Sequence, residues 1–121
     1  MKAAARSELG RIQVSDEAIA EIAAAAALKV AGVAGLGTAG RLETLAQVLG
    51  VDSGGRGVSV ETAGPEVGLR LNLLVDFGAD IAQVGLAVQE AVRDAVEGMT
   101  GLDVNEVEVL VQGVRGRGPR A

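Results

Sequence analysis

Asp76 and Asp80 bracket Phe77-Gly78-Ala79, and two carboxylates at the end of a strand could share acid–base work or hold a divalent cation. Both residues also have a plainer reading, which we prefer. Asp80 stands just before a helix-periodic stretch and suits its N-cap, and Asp76 is an outward-facing strand residue. Gly35-Leu36-Gly37-Thr38-Ala39-Gly40 has the G-x-G-x-x-G spacing, precedes a helical pattern and is followed about twenty residues later by Glu61, the layout of a dinucleotide fingerprint. The strand before it is very short and follows a helix directly, and the chain lacks the repeated β-α units that hold a dinucleotide, so the segment reads as a small-residue connector. Gly32-Val33-Ala34-Gly35 and Gly37-Thr38-Ala39-Gly40 match the G-x-x-G of a KH loop, but no basic cluster flanks either one to clamp a nucleic-acid backbone. A small nucleotide- or RNA-binding module using Gly32 to Gly40 is therefore the alternative reading.

The remaining polar groups suggest weaker interactions. Gly54-Gly55 and the arginines Arg115, Arg117 and Arg120 could attract anions through backbone N–H and guanidinium groups. Three arginines give a salt-sensitive attraction to an anionic surface that assists docking without anchoring the protein. Glu90, Arg93, Asp94 and Glu97 share the polar side of a long helix, with Glu90–Arg93 and Arg93–Glu97 at pairing distance, and read as a solvated face.

Composition removes most other chemistry. The 121 residues contain no His and no Cys, which excludes disulfides, thiolate nucleophiles, the usual zinc ligands and the usual general base. No enzyme activity, metal or cofactor is expected. Phe77 is the single aromatic, so the core must be packed from Ala, Val, Leu and Ile. A formal charge of -5 argues against a nucleic-acid partner. Met1-Lys2-Ala3-Ala4-Ala5-Arg6 lacks a following apolar region and reads as a flexible N-terminus, residues 1–9, rather than a signal peptide. No apolar run approaches the roughly 18 residues of a spanning helix, so no transmembrane segment and a cytoplasmic location are expected.

One stretch positions everything else. From Val67 to Phe77, Val67, Leu69, Leu71, Leu73, Val75 and Phe77 alternate with Gly68, Arg70, Asn72, Leu74 and Asp76, which predicts a strand with an apolar face and a mostly polar one. Val58 to Glu61 with the turn residues Thr62 to Glu66 predicts a hairpin into it. Ile81, Val84, Val88, Val92, Ala95, Val96 and Met99 form a helical stripe ended by Gly101, and Val104 to Val114 alternates again. Strand, helix, strand in this order predicts a right-handed crossover between parallel strands. Upstream, a short strand at Arg11–Val14, which could join the sheet, leads to a helix capped at Ser15 with Ile19, Ile22, Ala23, Ala26 and Val30 on one side, ended near Gly32. Val33 to Leu36 reads as a short extended piece, Leu42 to Leu49 as a shorter helix closed by Gly50, and Asp52 to Gly57 as a loop. The fold class is α+β: two layers, a mixed β-sheet with helices packed on one face, over residues 10–114, followed by a basic disordered tail, residues 115–121.

In this order the chain resembles the alkaline shock protein family of bacterial envelope stress response proteins over about residues 10 to 114. The likeness is carried by Gly10-Arg11-Ile12-Gln13-Val14-Ser15, by Val30-Ala31-Gly32-Val33, and by Val75-Asp76-Phe77-Gly78 with Ile81, Val84, Val88-Gln89 and Val92. It continues through Met99-Thr100-Gly101-Leu102 and Val107 to Val114. Phe77 stands where the family commonly has Tyr, and Glu108 where Asn is common. The motif consists of core and turn residues, so no catalytic residue is carried over. The resemblance implies a non-enzymatic, cytoplasmic, self-associating scaffold (a homo-oligomer), in some members held at the inner membrane face by a membrane-anchored partner. For self-association, the outward positions Leu74 and Leu110, with Val104 and Val114 farther out, are the expected contact face. Strand addition at an uncovered sheet edge is the other route.

Overall fold

The computed structural model describes residues 3–37 and 57–116, residues 3–6 for their backbone alone. The helix expected around Leu42 to Leu49 and most of the loop after it lie outside these residues. The elements are β1 (Ala3–Ser7), β2 (Gly10–Val14), α1 (Asp16–Leu28), β3 (Val33–Leu36), β4 (Val58–Ala63), β5 (Glu66–Asp76), α2 (Ile81–Thr100) and β6 (Asp103–Arg115).

β5 is the strand on which the main sheet is built. Its alternation buries Val67, Leu69, Leu71, Leu73 and Val75 at 0–3% exposure, each contributing on the order of 1.5–3 kcal/mol by leaving water. β4 returns along β5 as an antiparallel hairpin, from Val58 opposite Leu71 to Ala63 opposite Glu66. β3 pairs antiparallel with the last part of β5, Leu36 opposite Leu73 and Val33 opposite Val75. β4 and β3 thus share one flank of β5, and β6 runs parallel along the other, from Asp103 beside Glu66 to Arg115 beside Asp76. The sheet is mixed, and the crossover through α2 makes the parallel pair, as the periodicity predicts.

Both helices cover the odd-numbered face of β5. Ser15 Oγ accepts from the Ala18 N–H at 3.0 Å and starts α1, which buries Ile19, Ala20, Ala23 and Ala27. Asp80 Oδ1 accepts from the Gln83 N–H at 3.2 Å and starts α2; Gly101, at φ +75°, ends it. Val84, Val88, Val92 and Val96 recur every four residues and form the buried stripe of α2. The alanines of α1 allow the two helices to approach, so that one apolar core joins α1, α2 and β5.

The structure differs from the expectations at several places. Residues 3–7 form a strand paired with β2, Ala3 opposite Val14 and Ser7 opposite Gly10, where a flexible terminus was predicted; β2 joins this separate hairpin and not the main sheet. The alanines there have no alternation, so the partner strand had no signal of its own. α1 stops at Leu28 with Lys29 as its C-cap, before Gly32. Phe77 lies past the end of β5 and is 55% exposed, because the chain turns at Gly78 and leaves the strand. Ile81 and Met99, at the two ends of α2, are exposed as well. Arg93 meets Asp94 at 3.5 Å, and Glu97 faces β6 instead of solvent, accepting from the Val104 N–H at 3.0 Å.

Candidate functional site

The largest unshared feature of the described residues is the outer edge of β6. This strand is 13 residues long, and among the described residues no strand pairs with it on the side away from β5. A strand residue points its N–H and C=O to the same side, and alternate residues point to opposite sides. The Val107 carbonyl accepts from Gln89 Nε2 of α2 at 3.0 Å, which places Val107, and with it Val109 and Val111, with their backbone groups toward the open edge. Gln89 and Glu97 are the side chains of α2 that reach the backbone of β6. Neither was marked by periodicity, since both occupy polar positions of an amphipathic helix.

The sheet face opposite the helices is polar beside this edge. Arg70 Nε donates to Glu108 Oε1 at 3.0 Å, and Gln112 Nε2 donates to Asn72 Oδ1 at 3.1 Å. Leu110 lies in the same row, beside Asn72, and is 36% exposed. Glu66, Asn105 and Glu106 continue the polar surface toward the start of β6.

The expected contact face of Leu74, Leu110, Val104 and Val114 is not assembled as predicted. Leu74 lies opposite the core face but is only 3% exposed, and it aligns with Gly113 rather than with Leu110. The register of β6 shifts between Val104 and Glu106 and again between Val111 and Gly113. Each shift adds one residue and reverses which parity faces the helices. Val104 is therefore carried beside Val67 and packs against the core, and Val114 is carried beside Val75, where it is 53% exposed. Of the four residues, Leu110 alone is both outward-facing and exposed.

The other candidates are placed as follows. Asp80 caps α2, while the backbone N–H of Asp76 donates to the Gly32 carbonyl at 2.8 Å and its side chain is exposed. Among the described residues no group of three or more His, Cys, Asp or Glu is placed to hold a metal ion. Gly35 and Leu36 belong to β3, and the Gly37 N–H donates to the Asn72 carbonyl at 2.9 Å, so this part of the glycine segment is committed to the sheet; Thr38, Ala39 and Gly40 lie outside the described residues. Arg115 ends β6, its carbonyl accepting from the Phe77 N–H at 2.7 Å, and Arg117 and Arg120 lie outside the described residues. A shallow groove between α1 and α2, about 720 Å³, is lined mainly by Ile22, Ala26, Val30, Ala91, Ala95 and Met99. No helix among the described residues is long and apolar enough to cross a membrane.

Comparison with known proteins places this geometry in a family. The profile of the alkaline shock protein 23 family, described as having a cell envelope-related function, matches residues 4–116. The chain is 32% identical over 115 residues to the uncharacterized protein YloU of Bacillus subtilis (strain 168), covering 94% of this chain and 96% of that one. It is 32% identical over 110 residues to the uncharacterized protein YqhY of the same organism, covering 90% of this chain and 80% of that one. Among solved structures, MamM CTD C267S is similar in fold, with a TM-score of 0.50 at 20% identity over 83% of this chain and 96% of that chain. The copper form of MamM CTD gives a TM-score of 0.51 at 20% identity over 87% and 91% of the two chains.

Proposed function

Because the chain belongs to the alkaline shock protein family, whose described function is cell envelope-related, we propose that it is a non-enzymatic, self-associating scaffold of the bacterial cell-envelope stress response. It works in the cytoplasm, held at the inner membrane face by a membrane-anchored partner. Arg115, Arg117 and Arg120 assist that docking by attraction to an anionic surface. The observation that carries the reading is the open edge of β6. Among the described residues no strand covers it, and apart from the Val104 N–H and the Val107 carbonyl, which Glu97 and Gln89 bond, a strand of this length without Pro or Lys offers its outward backbone donors and acceptors to another strand. Nothing among the described residues points to enzymatic activity: Asp80 is a helix cap, and Asp76 has no side-chain partner.

Molar mass by light scattering, measured across a concentration series, tests this function. A scaffold gives a mass that rises from one chain toward a multiple of it as concentration increases. A constant single-chain mass over the whole series overturns the proposal.

A further inference from the structure

We propose that the open edge of β6 pairs with β6 of a second copy, antiparallel and centred on Val109, joining two sheets into one. The proposal rests on the self-association proposed above and specifies its surface, partner and register. Its basis is a symmetry in the strand. Between Asp103 and Arg115 the valines stand at 104, 107, 109, 111 and 114, the same series read from either end about Val109. An antiparallel two-fold pairing sets each residue against its mirror position. Val109 then meets the partner's Val109 and Val107 meets the partner's Val111, with Val104 and Val114 at mirror positions beyond the register shifts. At the two ends of the strand the mirror positions are Asp103 and Arg115, of opposite charge.

The backbone agrees with the side chains. Val107, Val109 and Val111 turn their N–H and C=O groups to the open edge, so the pairs they make are the hydrogen-bonded pairs of an antiparallel ladder. In the isolated chain the Val107 carbonyl is satisfied by the Gln89 side chain; on pairing, the N–H of the partner's Val111 replaces that amide. The two register shifts of β6, at Asn105 and at Gln112, lie on either side of this central segment and confine regular pairing to it.

Charge selects among the registers. Centring on Val109 sets Glu108 opposite the partner's Leu110 and Glu106 opposite the partner's Gln112, with no like charges facing. Moving the centre to Glu108 sets that carboxylate against its own copy, and moving it to Val107 sets Glu106 against the partner's Glu108, both unfavourable. Centring on Leu110 avoids like charges but opposes Glu106 to the partner's Val114 and Val107 to the partner's Gly113, losing the valine matches. The two-fold axis makes the contact isologous, so it closes as a dimer and leaves no second β6 edge for growth.

Cysteine pairing reads the register directly, since the chain has no cysteine of its own. Glu108 and Leu110 are on the polar face, and in the proposed register each lies opposite the other in a non-hydrogen-bonded pair, with Cα atoms roughly 4.5 Å apart. A disulfide needs Cα atoms within about 7 Å, and the diagonal separation of like positions exceeds that. Full-length Glu108→Cys and Leu110→Cys chains are oxidised with diamide separately and as an equimolar mixture, with circular dichroism confirming that each keeps the wild-type fold. The expected result is a covalent dimer in the mixture, at least several-fold more than in either separate sample. A dimer formed by Glu108→Cys alone, or by Leu110→Cys alone, shifts the centre to that residue and overturns the proposed register. No enrichment in the mixture, with wild-type chains associating by light scattering, overturns the edge contact while leaving self-association standing. Wild-type chains that stay monomeric overturn both.

Discussion

Gly32 shows how much one residue can decide here. It has φ +96°, and a Cβ at this position would lie 2.5 Å from Val84 Cγ2 and 3.5 Å from the Ala79 Cβ, while its carbonyl accepts from the Asp76 N–H. Gly32→Ala therefore combines a left-handed backbone cost of about 1–2 kcal/mol with an overpacking cost of about 1–3 kcal/mol. Gly64, at φ +62° in the β4–β5 turn with nothing within 4 Å of its Cβ position, carries the backbone cost alone. In urea unfolding, Gly32→Ala is expected to lower the midpoint clearly more than Gly64→Ala at an unchanged m-value. Equal shifts would show that Val84 moves aside at no cost. At this scale the sequence is legible where the cause is local: Ser15 and Asp80 cap the helices they precede, because a cap needs only the next three residues. It is not legible where the cause is distant, as for Leu74, whose burial opposite the core face no alternation can show.

Elements follow the same division. The period of two in β5 and the four-residue valine spacing in α2 specify strand, helix and buried faces together, because burial repeats with the backbone geometry. β6 has the same alternation, yet its ends face the wrong way for a simple reading. A register shift leaves no mark in a run of Val, Asn, Glu and Gln, so Val104 and Val114 could not be placed from spacing. β1 has no signature in the sequence because its alanines lack both bulk and alternation. The cap of α2 gives an element-scale test. Asp80→Ala removes the acceptor for the Gln83 N–H and is expected to cost about 1 kcal/mol of stability, whereas Asp80→Asn retains a good cap and costs little. Thermal unfolding distinguishes the two. A large loss in Asp80→Asn would mean that the charge, and not the capping oxygen, matters at this position.

For the whole molecule, the decisive fact is that helices cover one face of the sheet while the β6 edge stays open among the described residues. The two routes to assembly, through the polar face or along the edge, respond oppositely to charge at Leu110. If the exposed leucine packs into a face-to-face contact, an arginine there buries a charge against apolar surface and association is lost. If the chains meet along β6 in the Val109-centred register, the same arginine stands opposite the partner's Glu108 and makes an ion pair twice per dimer. Glu108 is already bonded to Arg70 of its own chain, so each added pair stays at or below the worth of a cross-strand pair, about 0.2–1 kcal/mol, and the edge route makes Leu110→Arg associate up to a few-fold more tightly in low salt. The gain diminishes as salt screens the pairs. Leu110→Glu sets two carboxylates against each other and weakens association by a similar factor. Leu74→Arg cannot substitute in this test, because a charge at a residue only 3% exposed destabilises the chain itself. Sedimentation equilibrium of wild type, Leu110→Arg and Leu110→Glu at two salt concentrations gives the answer: opposite shifts for the two variants support the edge, and loss of association in both points to the face.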